Sequence, residues 1–155
     1  MGPPATPSCL LATAHTPAGV LVASDANPDL IVRGDVVPRF GQVEQLADAA
    51  DLVLGGSASI VACGLARLGV PTALAARVGR DVFGTFTRDA LRAAGVDTGN
   101  VELDPEAPTG LSVILSTPGD RAILTVPGTI VSLRGDQVLT AAARSAAGHL
   151  HVASY

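Results

Sequence analysis

Tryptophan and lysine are absent from the 155 residues, and aromatic side chains make up only 3% of them. The 10 basic residues are therefore all arginines, scattered singly from Arg33 to Arg144 against 14 acidic residues, for a formal charge of −4. A nucleic-acid surface is built from clustered basic side chains with aromatics between them, so DNA and RNA drop out as partners. No stretch approaches the ~18 uninterrupted apolar residues of a spanning helix, which argues against a membrane segment. The 2 cysteines, Cys9 and Cys63, lie far apart with no CxxC spacing and no histidine cluster. They make neither a disulfide framework nor a zinc site and point to a reducing, cytoplasmic setting. The N-terminus has no positively charged segment, and the apolar stretch Cys9–Ala12 is too short for a signal peptide. Residues 1–18 are expected to form a disordered extension.

What is present is small and apolar. The hydrophobic fraction is 48% against 15% charged, with 17 glycines and 11 prolines as punctuation. That balance excludes disorder and coiled coil. The length suits one ordinary domain, which buries about 68–70% of the surface its unfolded chain exposes. Val20–Ser24 reads as a buried strand running into the turn cluster Asp25-Ala26-Asn27-Pro28-Asp29, the layout found at the carboxyl edge of a parallel sheet. The segment 30–54 mixes charges, glycines and short strand candidates (Leu30–Val32, Asp51–Leu54) and predicts a small β excursion outside the central sheet. Gly55-Gly56-Ser57 then opens a helix, with Ser57 as expected N-cap and Ala58–Leu68 as its body, stopped by Gly69-Val70-Pro71. Ile60, Gly64, Leu65 and Leu68 share one face, expected to pack on the sheet.

A strand over Thr72–Val78 follows, then Gly79-Arg80-Asp81 capping a helix over Val82–Ala94. Leu111–Thr117 and Ala122–Val126 flank Pro118-Gly119, whose order suits a type II turn and predicts a hairpin. A third helix over Arg134–Ala147 leads into a strand at His149–Ala153. Alternating strands and helices of this kind predict an α/β protein with a parallel sheet.

The glycines at Gly55 and Gly56 offer free backbone N–H groups and close approach, which suits an anion or a sugar hydroxyl; a plain tight turn is the competing account. This is neither a P-loop nor GxGxxG. The wider pattern decides between them. Gly55-Gly56-Ser57-Ala58, Ala62, Gly69 and Gly79-Arg80-Asp81-Val82-Phe83-Gly84 together resemble the first signature of the ribokinase-like (PfkB-type) carbohydrate kinases. Asp25-Ala26-Asn27-Pro28-Asp29, Ala66–Gly69, Leu91–Val96 and Pro108-Thr109-Gly110 are similar to that family as well, so the likeness runs from Gly19 to Tyr155.

The resemblance implies a doubly wound three-layer α/β/α domain with a small β lid, here about 30–54, and ATP-dependent phosphoryl transfer to a hydroxyl of a sugar or nucleoside. It places Asn27 and Asp29 where the family hydrogen-bonds sugar hydroxyls, and Gly55, Gly56 and Ser57 at the backbone's approach to the sugar. Asn-Pro-Asp turn chemistry is the alternative for the first two residues. It also implies ATP and Mg²⁺ as cofactors, with a site mostly outside this chain, and a possible homodimer through the lid. Two departures stand out. Ile60 occupies the place of a family asparagine, and the Gly-Ala-Gly-Asp core that supplies the catalytic base does not occur, so no catalytic residue is expected here and the chain looks truncated. A truncated relative acting as a sugar-binding or assembly module is the alternative function. Asp81 is expected to be a helix cap and Arg121 a solvated turn residue. His149 and His151 alternate on a strand with no partners for a metal.

Overall fold

The computed structural model describes residues 18–154; the expected extension over 1–18 falls outside them except for Ala18. Eight strands and three α-helices follow one another: β1 (Gly19–Ala23), β2 (Asn27–Arg33), β3 (Ala49–Gly55), α1 (Ser57–Arg67), β4 (Thr72–Gly79), α2 (Val82–Ala93), β5 (Val101–Asp104), β6 (Leu111–Ser116), β7 (Arg121–Val126), α3 (Gly135–Arg144) and β8 (Ala147–Val152). A 3-10 turn, Gly128–Val131, links β7 to α3.

The main sheet is parallel, in the order β5-β4-β1-β8. Its central strands β1 and β4 are nearly continuous apolar runs because both faces are covered. Val22, Leu74, Ala76 and Val78 pack against α1 and α2 with Ala62, Cys63 and Leu91. Leu21, Ala23 and Ala75 point the other way, against Ala141 and Val138 of α3. Strand alternation thus divides one set of aliphatics between two helix layers, and the result is the expected three-layer arrangement. Each fully buried leucine, Leu21, Leu74 and Leu91, contributes about 1.5–3 kcal/mol by leaving water.

The second sheet has the order β3-β2-β6-β7. It is larger than the excursion over 30–54, because the hairpin β6-β7 belongs to it: β6 runs parallel to β2 with Asp29 opposite Ser112. Asn27-Pro28-Asp29 is likewise strand and not turn. Pro28 is tolerated there because it precedes the first β2–β6 pair, Asp29–Ser112, and a missing N–H costs least at a strand's beginning. The third helix is shorter than expected, ending at Arg144, and β8 starts two residues early, at Ala147.

One predicted face is wrong. Ile60 is 59% exposed and Leu68 is more so, whereas Ala58, Ser59, Ala62 and Cys63 are the buried residues of α1. The small side chains face the sheet because they let the helix axis come close; Ile60 and Leu68 are turned outward, while Leu65 and Val61 pack at the margin of the core. Ile60 therefore does not anchor the helix.

Candidate functional site

At the carboxyl end of β1 the chain turns through Ser24, a non-glycine residue with φ 154°. This backbone region is occupied almost only by glycine, and holding another residue there costs about 1–3 kcal/mol. The turn carries Asp25 to the N-terminus of α1. Its carboxylate accepts hydrogen bonds from the Ser57 N–H (3.0 Å), the Ala58 N–H (3.1 Å) and the Ser57 hydroxyl (3.0 Å). The Ser59 hydroxyl donates to the Asp25 carbonyl at 3.2 Å.

This overturns two expectations. Ser57 is not the N-cap; Gly56 is, at φ 82°, with no side-chain cap of its own. Nor are the first N–H groups of α1 open to an anion, since a carboxylate from another part of the chain already neutralises the positive end of the helix. A sequence clue existed: α1 has no acidic residue in its first turn, so a cap had to come from elsewhere. Asp25→Ala is expected to cost about 1–2 kcal/mol, measured as a lower urea midpoint with an unchanged denaturant slope.

Asn27, Asp29, Gly55 and Gly56 do come together. Asn27 pairs with Gly55 across β2 and β3 and is only 3% exposed. Its side-chain amide donates to Asp29 Oδ1 and to the Pro28 carbonyl, both at 3.2 Å. The Asp29 carboxylate lies directly over the bare Cα of Gly55, where any Cβ would collide with it. A Cβ on Gly56 would stand 3.0 Å from Asn27 Oδ1 and from the Asp25 carbonyl oxygen. A side chain at position 55 would thus displace the Asp29 carboxylate, and Gly56 is constrained by its φ of 82° as well as by these neighbours.

Burial pushes the Asp29 carboxyl above the ordinary carboxylate range; hydrogen bonds from Ser112 and Asn27 oppose the rise, and the charge of Asp25 adds to it. Asp81 is the contrast. Burial acts against its charge too, but the Gly84 N–H, the Thr109 hydroxyl and N–H, and the Phe83 N–H hold it below that range. Asp81 is a saturated structural cap, with Gly84 N at 2.8 Å, Thr109 N at 2.8 Å and Thr109 Oγ1 at 2.7 Å. Asp29 has fewer donors than Asp81, so burial prevails over its hydrogen bonds.

Other candidates lie apart from this cluster. Arg121 is exposed at the foot of β7. His149 and His151 sit on the edge strand β8, opposite Val20 and Val22. A cavity of about 810 Å³ lies on the α3 side beside Ser24 and Asp25, and its walls are largely apolar, with Ile130, Leu133, Val138 and Val152 among them. It does not reach Asn27, Asp29 or Gly55. Among the described residues no three His, Cys, Asp or Glu side chains gather to hold a metal ion, and the nearby Asp25 carboxylate is taken up by the N-terminus of α1. These residues do not make a Mg²⁺ or nucleotide-phosphate site. No helix of the described residues is long and apolar enough to cross a membrane.

Residues 20–154 match the pfkB family of carbohydrate kinases. The chain is 31% identical over 109 residues to a ribokinase of Bacillus subtilis (strain 168), covering 70% of this chain and 37% of that protein. It is 32% identical over 114 residues to fructokinase-2 of Oryza sativa subsp. japonica, covering 68% of this chain and 34% of that one. Among solved structures, Arabidopsis thaliana ribokinase complexed with ribose and ATP shares the fold with a TM-score of 0.76 at 24% identity, over 88% of this chain and 45% of its own. The chain spans about a third of the length of the curated relatives it matches.

Proposed function

The chain belongs to the pfkB family of carbohydrate kinases, and we propose that it carries the substrate-binding portion of a sugar or nucleoside kinase, in which the terminal phosphoryl group of ATP passes to a substrate hydroxyl. The observation that carries this reading is the Asp29 carboxylate, seated on Gly55, steadied by Asn27 and left short of donors. An ionised carboxylate accepts hydroxyl hydrogen bonds worth about 1.5–3 kcal/mol each, and two adjacent hydroxyls of a sugar fit its two oxygens. Asn27 and Asp29 then orient the sugar, Gly55 and Gly56 let it approach the backbone, and the Ser57 hydroxyl lies at the rim. The second sheet, of which Asp29 is part, is the lid: closing it over the sugar excludes water and limits wasteful hydrolysis of ATP. ATP and Mg²⁺ would be held mostly by residues outside these 155, and the catalytic base with them. Leu52, Ile123, Leu124 and Val126 are exposed on the second sheet and support pairing of two copies through it, in a cytoplasmic enzyme.

Titration calorimetry of the chain with a panel of pentoses, hexoses and nucleosides tests the reading. A saturable fit to at least one sugar is expected, weakened about ten- to a hundred-fold in Asp29→Asn. No phosphoryl transfer from ATP is expected from these 155 residues alone. Binding without transfer also fits the second reading, a sugar-binding or assembly module. Unchanged affinity in Asp29→Asn would remove Asp29 from the site.

The sign of the pH dependence separates ligand from cap. Asp29 has a raised pKa, so its contribution to stability is greatest below the ordinary aspartate range and is lost as pH rises through its folded value. Asp29→Asn is therefore expected to leave the melting temperature at pH 7 unchanged or higher. Sugar affinity should fall on acidification as Asp29 takes up its proton, at a pH above the usual aspartate range, and Asp29→Asn should abolish that dependence.

A further inference from the structure

On the outer edge of the main sheet, away from Asp29, a cleft of about 260 Å³ is lined by Gly79, Arg80, Thr85, Arg88, Asp89, Arg92 and Leu103. Three arginines share it with a single carboxylate. Residues 85, 88, 89 and 92 fall on one face of α2 by helical spacing, and Arg80 comes from the turn before the helix. Arg92 is engaged: its NH1 donates to Asp89 at 3.2 Å and its Nε to the Thr98 hydroxyl at 3.0 Å. Arg80 and Arg88 have no ion pair among the described residues, as is true also of Arg67, Arg121 and Arg144, whereas Arg33, Arg39, Arg77 and Arg134 each hold a carboxylate. Arg88 also has its Nε buried with no acceptor.

Each of these placements is locally unfavourable. A buried donor without a partner forfeits its hydration. Arg88 and Arg92, four apart on one helix, repel each other, and Arg80 stands beside the positive end of the α2 dipole. Three local costs gathered in one cleft, in a chain of net charge −4, are what a site for an anion leaves when its ligand is absent. Asp89 neutralises one of the three arginines and leaves two positive charges, the complement of a dianion. Guanidinium forks recognise phosphate oxygens in pairs. The volume equals roughly nine waters, enough for a phosphate with a short carbon chain, and the exposed Leu103 side chain offers an apolar wall for that chain.

We propose that this cleft binds a phosphate dianion, held by Arg80, Arg88 and Arg92, as inorganic phosphate or as a small phosphate monoester. It does not rest on the sugar-kinase reading, because Asn27, Asp29 and Gly55 are not among the residues that line the cleft.

The test is calorimetric titration of the chain with inorganic phosphate and, separately, with glycerol phosphate. Both are run at constant ionic strength against chloride, at a pH where the dianion prevails. Saturable one-to-one binding is expected, weakened about tenfold by Arg88→Gln and also weakened by Arg80→Gln, with Arg67→Gln, on α1, as the unchanged control. Arg80 is exposed, so its variant keeps the test open if Arg88→Gln fails to fold. Tighter binding of the monoester would identify an organic phosphate as the ligand; equal affinities would identify the dianion alone. Absence of saturation by either anion would overturn the proposal, as would affinities that Arg88→Gln and Arg80→Gln leave unchanged or that Arg67→Gln lowers equally.

Discussion

Gly84→Ala is expected to lower the melting temperature of the chain by roughly 6–12 °C, at about 2–4 °C for each of roughly 3 kcal/mol. A Cβ on Gly84 would overlap the carbonyl oxygen of Gly79 and stand 2.9 Å from Thr109 Oγ1. Neither can retreat. Gly79 is itself crowded, because a Cβ there would lie 2.6 Å from the Thr109 nitrogen, and its own N–H donates to Thr109 Oγ1 at 2.8 Å. Thr109 in turn is fastened by two hydrogen bonds to Asp81. This knot lies where β6 leaves the main body, and the Thr129 N–H donating to the Pro108 carbonyl at 3.0 Å closes it where β7 returns. The added methyl must lift the first turn of α2 or open the knot, and either loosens the second sheet. Differential scanning calorimetry reads the shift, and a change below about 1 kcal/mol would show that the junction is softer than its contacts require.

Gly55→Ala should do the opposite: little to stability and a great deal to binding. Its Cβ meets not backbone but the Asp29 carboxylate, a side chain that can swing aside. The fold is expected to lose about 1 kcal/mol or less, since Gly55 needs no left-handed backbone and alanine costs less entropy on folding. Sugar affinity, however, should drop about a hundredfold or more, because Asp29 is displaced and its bond to Asn27 broken together. Calorimetric titration beside a thermal melt separates the two effects. If affinity survives while Asp29→Asn destroys it, the carboxylate acts from a position other than the one over Gly55.

The contrast between these two glycines shows what the sequence could and could not disclose. Local signals were readable. Gly79-Arg80-Asp81 marks the start of α2 through cap chemistry, Pro118-Gly119 marks the turn between β6 and β7, and the runs at Val20 and Thr72 mark the central strands. Pairings between distant segments were not readable. Nothing local says that β6 lies beside β2, so the sequence pattern leaves the hairpin unplaced and bounds the excursion at 30–54. The capping of α1 by Asp25 is hidden for the same reason, since its partners lie more than thirty residues away. Ile60 failed differently. An alanine-rich helix has two plausible inner faces, and the choice between bulk and close approach is made by the sheet, not by the helix. The resemblance singles out Asn27, Asp29, Gly55 and Gly56, which the fold brings together, whereas the tie of Ser57 to Asp25 is visible only in the structure.

The parallel pairing of β2 with β6 also sets an order of assembly. The hairpin of β2 and β3 closes over a short stretch and can form as soon as Gly55 has been made, but Ser112, which flanks Asp29 on the other side, comes 57 residues after Gly55. At synthesis rates of about 5–20 residues per second that interval is roughly 3–11 s. Throughout it the strand bearing Asp29 has one open edge, an invitation to pair with a neighbouring chain. Long-range pairings of this kind also slow folding, because the loop must close before the contact rewards it. Asp29 thus acquires its second flanking strand well after its own hairpin can close, and a nascent chain stalled before Ser112 would hold β2 with that edge unpaired.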